Sequence, residues 1–254
     1  MLLVVDVGNT NTVLGLYDGE RLVHDFRIET SKGRTSDEHH VLLLNLLQLA
    51  GVKRSEVRAS ILASVVPPLN DTVIDAVDRA FDHEIMLVGP GIKTGMPVLA
   101  ENPREVGADR IVNSVAAYER VQGAAIVVDF GTATTFDCIS DKGEYLGGAI
   151  APGMEISANA LFASAAKLPR SEIARPPRVI GRNTVHSMQS GIVYGYVGLV
   201  DGLVRRLTAE MDTEVTVIAT GGLATLIEPD SETIDEIDEF LTLEGLRLIY
   251  MRNA

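Results

Sequence analysis

The sequence contains one cysteine, no tryptophan and no run of basic residues. A single cysteine excludes an internal disulfide, so the fold must be stabilised by an apolar core. Acidic residues outnumber basic residues by 35 to 22, which gives a formal net charge of −13 at pH 7. Such a charge repels a phosphate backbone, and we therefore expect no nucleic-acid partner. A small anion remains possible as a ligand, because backbone N–H groups bind phosphate locally.

The first residues also lack the pattern of a signal peptide, because residues 1–5 carry no basic side chain and Asp6 follows at once. An uncharged stretch at 183–200 contains His, Gln, Ser and Gly residues, which predicts a buried helix rather than a membrane span. We therefore expect a cytoplasmic protein with no membrane partner. The length of 254 residues, with 46% apolar content, predicts one large domain or two modest ones.

An internal repeat is the most informative pattern in the chain. Residues 4–13 read VVDVGNTNTV and residues 127–136 read VVDFGTATTF, so five of ten positions are identical at an offset of 123. Each copy continues through an apolar run, a turn containing Asp and Gly, and a further apolar run, which is typical of a β-meander. A repeat at half the chain length indicates two related domains. Chance similarity between two β-hairpins is the alternative.

Strand and helix patterns alternate after each meander, which predicts mixed α/β sheets covered by helices. Ser36 is the expected N-cap of the first helix, and Pro103 is expected in the first turn of the third. We expect domains at 1–118 and 119–254, with the boundary inside the third helix. The predicted helices are 36–50, 71–81, 103–121, 158–166, 185–211 and 243–252, and the further strands are 59–66, 84–88 and 214–219.

Two turns have the composition of a phosphate site. The first predicted strand delivers Asp6 to a turn in which Gly8 lets the backbone approach a ligand closely. Backbone N–H groups and the Asn and Thr side chains of residues 9–12 can donate to phosphate oxygens. The carboxylate would act through a cation or water, because it repels phosphate. Asp129 and the turn after it repeat this arrangement, so two facing turns would clamp a polyphosphate and its metal. Two ordinary hairpin turns are the alternative.

A later Thr-Gly-Gly at 220–222 could pass beneath a flat ring such as adenine. Together with the two turns, this pattern resembles the actin, hexokinase and Hsp70-type ATPase superfamily. Within it, residues 102–113 (NPREVGADRIVN) closely resemble the signature of type III pantothenate kinases. Residues 6–12, 147–153 and 244–250 agree, so the similarity covers essentially the whole chain. The resemblance implies two duplicated actin-like (ribonuclease H-like) domains and ATP-dependent phosphorylation of pantothenate, the first step towards coenzyme A.

The resemblance also implies roles for individual residues. Asp109 matches the family's catalytic base, a role that suits a carboxylate beside an alcohol. Arg110 could bind the pantothenate carboxylate, although an adjacent Asp-Arg pair on a helix surface is the alternative from the residues alone. The implied ATP site is formed by Asp6, Val7, Gly8, Asn9, Thr10, Asn11, Thr12, Val13 and Thr132. The implied pantothenate site is formed by Ala100, Gly107, Ala108, Asp109, Arg110 and Thr184.

The family resemblance further implies cations and a partner. Asp129 would hold a monovalent cation, K⁺ or NH₄⁺, and Asp6 is the better candidate for the Mg²⁺ side. The family is dimeric, and the glycine-spaced helix at 185–211 is our candidate for the interface of a homodimer, unless it is buried within the chain. Many members have Tyr where this chain has Ala100, which removes a large contact and a hydroxyl from the expected substrate wall.

Two other functions stay open at this stage. The chain could be a non-catalytic nucleotide-binding regulator of the same fold, or a kinase for another small alcohol. Ala100 is the only sequence support for the regulator, whereas the intact set of Asp6, Asp109 and Asp129 argues against it.

Overall fold

A computed structural model describes residues 1–165 and 168–254 and contains two mixed β-sheets. In chain order the strands are β1 (Leu2–Val7), β2 (Asn11–Asp18), β3 (Arg21–Glu29), β4 (Ala59–Ser64), β5 (Met86–Leu87), β6 (Ala125–Phe130), β7 (Ala133–Ile139), β8 (Tyr145–Pro152), β9 (Thr216–Thr220) and β10 (Glu236–Ile237). The sheet orders are β3-β2-β1-β4-β5 and β10-β9-β6-β7-β8. The predicted α/β fold is therefore confirmed.

Helices occupy the connections between strands, as the alternating sequence pattern predicts. In the described part of the chain they are α1 (Ser36–Leu49), α2 (Pro67–Phe81), α3 (Ala108–Val121), α4 (Met154–Ser164), α5 (Thr184–Met211), α6 (Ala224–Ile227) and α7 (Leu241–Met251). The helix expected at 158–166 begins earlier, and residue 166 lies outside the described residues. Within those residues, we find no helix with the length and apolar character needed to cross a membrane.

Several helix starts differ from the sequence prediction, and α2 begins at Pro67, ahead of the expected start at 71. The differences at α1 and α3 have a local cause in the backbone. The N-cap of α1 is Thr35 and not Ser36, because Thr35 has extended backbone angles and its hydroxyl accepts from the N–H of Glu38, whose carboxylate in turn accepts from the N–H of Thr35. Helix α3 begins at Ala108, because Pro103–Glu105 forms a separate 3₁₀ turn that ends at an extended residue. That break determines where the first turn of α3 lies.

The two sheets repeat each other strand for strand. In each, three strands form an antiparallel meander, and a fourth pairs in parallel with the first. Strands β1 and β6 have the same burial pattern. In each, every residue is buried except the penultimate one, which is the half-buried Asp6 or Asp129. The duplication predicted from the sequence is therefore present in the fold.

The strand register corrects the alignment of the two copies beyond the turn. Val7 pairs with Thr12 in the first sheet, whereas Phe130 pairs with Thr134 in the second. The second turn is therefore one residue shorter, and Thr12 corresponds to Thr134 and not to Thr135. The burial patterns of β2 and β7 agree with this shifted alignment.

Contacts divide the chain into two compact units. The first consists of Met1–Met96, Asn102–Ala116 and Thr242–Ala254, and the second of Pro97–Glu101 and Ala117–Leu241. Each has its own core, formed around β1, α1 and α2 in the first unit and around β6, β9 and α5 in the second. The division at residue 118 stays a prediction, and the observed units differ from it chiefly because α7 packs with the first.

Helix α7 packs closely on α3 within the first unit. A methyl group added at Gly245 would overlap the carbonyl oxygen of Val112 and lie 2.8 Å from its Cγ1. Because overpacking costs about 1–3 kcal/mol, we expect Gly245→Ala to lower the free energy of unfolding by that amount in urea denaturation. Gly89→Ala is the control, since among the described residues no atom beyond its two chain neighbours lies within 4 Å of its added methyl. Equal stability of the two variants would contradict this packing.

Candidate active site

The first turn joins β1 to β2 beside Asp6. The N–H of Gly8 donates to the carbonyl oxygen of Asn11 over 3.0 Å and closes the turn. The side chains of Asn9 and Thr10 at its tip are exposed, whereas Asp6 is half-buried. The turn therefore presents polar groups outward above a carboxylate, an arrangement suited to phosphate and a cation.

Some residues predicted at the ATP site support this turn from within. Val7 and Thr12 are buried, and Val13 is half-buried on β2. The hydroxyl of Thr12 lies 2.8 Å from the hydroxyl of Thr30, which follows β3. Asn9 and Thr10 are consequently the part of the turn with the best access for a ligand.

Asp109 lies at the same edge of the first sheet as this turn. The N–H of Val65, just beyond β4, donates to the carbonyl oxygen of Val7 over 3.0 Å. The Val65 side chain is 3.6 Å from the position of a methyl group added at Gly107, and the same methyl would lie 2.5 Å from Asp109 Oδ1. Contacts therefore connect the end of β1 to Asp109 through Val65 and Gly107.

The carboxyl group of Asp109 is electrostatically perturbed. Burial raises the pKa of Asp109, and this effect is opposed by the N–H of Arg110, which donates to Oδ1 over 2.8 Å, and by the guanidinium charge of Arg110. A raised pKa makes the carboxylate a better proton acceptor. Perturbed titratable groups are characteristic of functional sites, so this group is our candidate for the catalytic base.

The other residues predicted at pantothenate occur in both units. Residues 107–110 are half-buried at the start of α3 in the first unit. Ala100 is half-buried in the second unit, and Thr184 is the exposed first residue of α5 there. Asn183 caps that helix, because its side chain accepts from the N–H of His186 over 2.8 Å.

The second turn follows Asp129 and exposes Gly131 and Thr132. A methyl group added at Gly153 would overlap the carbonyl oxygen of Thr132 and lie 2.8 Å from that of Gly131. At Gly221, where φ is +89°, a methyl group would lie 2.6 Å from Asp129 Oδ1. The backbone at Gly153 and Gly221 therefore packs against this turn and its carboxylate, and only glycine fits at either position.

The sequence predictions do not include these two glycine contacts. The Thr-Gly-Gly pattern at 220–222 indicates only a place beneath a flat ring such as adenine, and Gly153 enters only as the last residue of the family-like segment 147–153. A glycine that directly follows a strand, as Gly153 follows β8 and Gly221 follows β9, is the signal that could have found them.

The two strand-end carboxylates have different cross-strand partners, which share their face of the sheet. Both partners of Asp129 are threonines, Thr135 on β7 and Thr220 on β9. Both partners of Asp6 are apolar. Asp129 therefore has hydroxyl-bearing neighbours on both sides, whereas Asp6 has none in these positions.

The carboxylates near the turns fit a cation that takes its remaining ligands from water and from a bound phosphate. In residues 1–165 and 168–254, no three His, Cys, Asp or Glu side chains are grouped so that they could hold a metal ion. Mg²⁺ at nucleotide sites keeps several waters and is bound through one or two carboxylates together with phosphate oxygens. The single half-buried carboxylate of Asp6 at the end of β1 agrees with that kind of site.

Two repeated mixed sheets, each with a carboxylate and a tight turn at the end of its first strand, define a protein of the actin and hexokinase fold class. The chain resembles a ROK hexokinase from Thermus thermophilus, with a TM-score of 0.53 and 14% identity over 99% of this chain and 98% of that one. It also resembles the ethanolamine utilization protein EutJ from Carboxydothermus hydrogenoformans, with a TM-score of 0.59 and 16% identity over 97% and 89% of the two chains. These likenesses establish the fold.

Sequence comparison then identifies the family within this class. The family model for type III pantothenate kinase matches residues 2–206. The type III pantothenate kinases of Myxococcus xanthus and Geobacter sulfurreducens are each 60% identical to the chain over 253 residues, which is 100% of this chain and 99% of each relative. The chain belongs to the type III pantothenate kinase family.

The raised pKa of Asp109 has a consequence for stability. Ionisation of this group opposes folding above its raised pKa, so Asp109→Asn should increase the free energy of unfolding at about pH 8. The gain should disappear as the pH falls below about 4, the ordinary pKa of an aspartate, because both states are then protonated. Urea denaturation across this pH range measures the effect, and a gain that does not depend on pH would contradict the assignment.

Asp201 provides a control of opposite sign. Although burial alone would raise it, the pKa of Asp201 is lowered by hydrogen bonds from Ser231, Glu232 and Thr233 and by the charge of Arg205. Its stabilising effect is present above the ordinary pKa and is lost as the pH falls through the lowered one. Asp201→Asn should therefore lower stability at about pH 8 and have less effect in acid.

Proposed function

We propose that this chain transfers the γ-phosphoryl group of ATP to the primary hydroxyl of pantothenate, which gives 4'-phosphopantothenate, the first intermediate towards coenzyme A. The observation that carries the proposal is the 60% identity to type III pantothenate kinases over the full length of the chain. The site adds support, because a carboxyl group with a raised pKa lies at the same sheet edge as a phosphate-type turn.

Asp109 acts as the general base of this reaction. Its carboxylate accepts the hydroxyl proton while the hydroxyl oxygen attacks the γ-phosphorus of ATP. The new oxygen–phosphorus bond forms as the bond from the γ-phosphorus to the bridging oxygen breaks, and ADP leaves with that oxygen. Burial that raises the pKa of Asp109 strengthens it as a proton acceptor. The guanidinium of Arg110 binds the pantothenate carboxylate.

The remaining predicted site residues divide between the two substrates. Residues 6–13 and Thr132 bind ATP, with the exposed groups of Asn9 and Thr10 directed at its phosphates. Ala100, residues 107–110 and Thr184 form the pantothenate site. The position of residues 107–110 at the start of α3 supports this division, because it sets Asp109 beside the end of β1.

Two cations complete the proposed site. Mg²⁺ supplies positive charge that neutralises the phosphates during transfer, and the half-buried carboxylate of Asp6 would hold it. Asp129 would hold a monovalent cation, K⁺ or NH₄⁺. The threonines on both sides of Asp129 support this assignment, because oxygen atoms can replace the hydration shell of K⁺.

We also propose a cytoplasmic homodimer that binds neither nucleic acid nor membrane. Helix α5 is the candidate interface, and the glycines at 191, 195 and 198 support it. They are exposed, and among the described residues no atom beyond the chain neighbours and the backbone of the same helix lies within 4 Å of a methyl group added at any of them. Such a face permits close approach by a second helix. The net charge of −13 supports the absence of a nucleic-acid partner.

Replacement of the base tests the reaction. We expect Asp109→Asn to lower kcat about 10²- to 10⁴-fold while the Kd for ATP stays near that of the unchanged chain. With the unchanged chain, kcat/KM should rise with pH through the raised pKa of Asp109. Release of ADP, measured with Mg²⁺ and pantothenate, provides both readouts. Asp75→Asn is the matched control, since Asp75 is exposed on α2 and pairs only with a surface arginine among the described contacts.

The outcome also separates the alternatives. Full activity of Asp109→Asn would contradict its role as base. ADP release that requires a different alcohol would indicate another acceptor, and ATP binding without turnover on any alcohol would favour the non-catalytic regulator. In either of these two cases, Ala100→Tyr is the first substitution to examine, because it restores the side chain that many family members carry.

The cation assignment has a separate test. We expect turnover to require K⁺ or NH₄⁺ and to be low in Na⁺, and we expect Asp129→Asn to lose most of this response, because it removes the anionic ligand. ADP release at fixed ionic strength in the three salts measures it. Asp141→Asn, an exposed substitution in the β7–β8 turn, is the control. An undiminished K⁺ response in Asp129→Asn would contradict the proposed site.

A further inference from the structure

Thr30, the residue after β3, makes two hydrogen bonds to the first turn. Its N–H donates to the carbonyl oxygen of Thr10 over 2.9 Å, and its Oγ1 lies 2.8 Å from Oγ1 of Thr12. Thr10 is at the exposed tip of the turn, whereas Thr12 is buried at its base. Thr30 therefore connects the tip and the base of the turn to the end of a third strand.

The second copy of the repeat offers an internal comparison. The β3 residue that lies two positions before Thr30 pairs with Thr12. In the second unit, the β8 residue that lies two positions before Gly153 pairs with Thr134. Gly153 consequently occupies the position of Thr30 and has no hydroxyl to offer. Thr134 Oγ1 is buried without a hydrogen-bond partner among the described residues. Of the two turns, the first is the one held by a pair of hydroxyls.

The second turn is held in a different way. The backbone at Gly153 packs directly against the carbonyl groups of Gly131 and Thr132, where a larger residue would overlap. A threonine at position 153 would displace the turn. The close packing of this backbone is therefore incompatible with a hydroxyl contact like the one that Thr30 makes in the first unit. The side chain of Thr30 is therefore specific to the first turn and is not a general requirement of the fold.

We propose that Thr30 is a positioning residue of the ATP site, which holds the first turn in the conformation that receives the phosphates. The proposal rests on the proposed function, because it takes this turn to bind ATP. Ordering a mobile loop during binding opposes affinity. The bonds from Thr30 to Thr10 and Thr12 provide that order before ATP arrives. Thr30 itself acts through the turn, and Thr12 contributes as its buried partner.

Thr30→Val is the substitution that removes the hydroxyl with little change in shape. The N–H bond to Thr10 remains, and the Thr12 hydroxyl loses its partner. In the second unit the corresponding hydroxyl of Thr134 is already buried without a hydrogen-bond partner among the described residues. We therefore expect the variant to fold. Thr30→Ser keeps the hydroxyl and tests rescue.

The control makes the same chemical change elsewhere in the first unit. Thr72→Val also removes a half-buried hydroxyl, one that donates to the carbonyl oxygen of Leu69 within α2 over 2.8 Å. The measurements are KM for ATP, KM for pantothenate, kcat and the melting temperature of all three variants. We also measure the Kd for Mg·ATP without pantothenate.

We expect Thr30→Val to raise KM and Kd for ATP about 2- to 12-fold, the range of one neutral hydrogen bond, with KM for pantothenate within about twofold. Thr30→Ser and Thr72→Val should stay near the unchanged chain in both ATP constants. An unchanged Kd for ATP in Thr30→Val, or a rise shared by Thr72→Val, would overturn the proposal.

Failure of the proposed function would be visible separately. In that case the unchanged chain would show no pantothenate-dependent release of ADP. The role of Thr30 would still be decided by the Kd for Mg·ATP, which needs no acceptor.

Discussion

The parallel pairing of β1 with β4 is the constraint on which the first part of the candidate site depends. Parallel strands end at the same edge of a sheet, which is where ligands bind in α/β folds. The turn after β1 and Val65 after β4 are therefore neighbours, and the bond from Val65 to Val7 joins them. Because Gly107 packs beside Val65, the start of α3 delivers Asp109 to this edge. The pairing of β6 with β9 brings Gly221 to Asp129 in the same way.

Duplication reproduced the strands more faithfully than the turns. The strand order and the burial of β1 and β6 are the same in both copies, since they follow from apolar packing. The turns differ by one residue in length, and they are held by different contacts. The hydroxyls of Thr12 and Thr30 hold the first turn, whereas the backbone at Gly153 packs against the second. A loop can change without loss of the core beneath it, so divergence between the two copies concentrates in the turns.

The sequence pattern predicts the elements well because burial leaves a periodic signal, and the Asp-x-Gly repeat finds both turns. It misses features that depend on three-dimensional contacts. The one-residue slip after the turn is invisible in an alignment of identical threonines, and the cap at Thr35 depends on backbone angles. The packing of α7 with the first unit depends on residues distant in the chain, and the raised pKa of Asp109 depends on the burial of its carboxyl group in the fold. The site residues matched by family resemblance remain predictions.

The surroundings of the two strand-end carboxylates explain how equivalent positions could acquire different cations. Asp6 and Asp129 occupy the same place on their strands with the same burial. The apolar partners of Asp6 add no ligands, which suits Mg²⁺, since that ion keeps its waters and takes phosphate oxygens. The partners of Asp129, Thr135 and Thr220, add oxygen atoms, which suits an ion that exchanges hydration for protein oxygens. The proposed division of cations therefore rests on differences between neighbouring strands and requires no change at either aspartate.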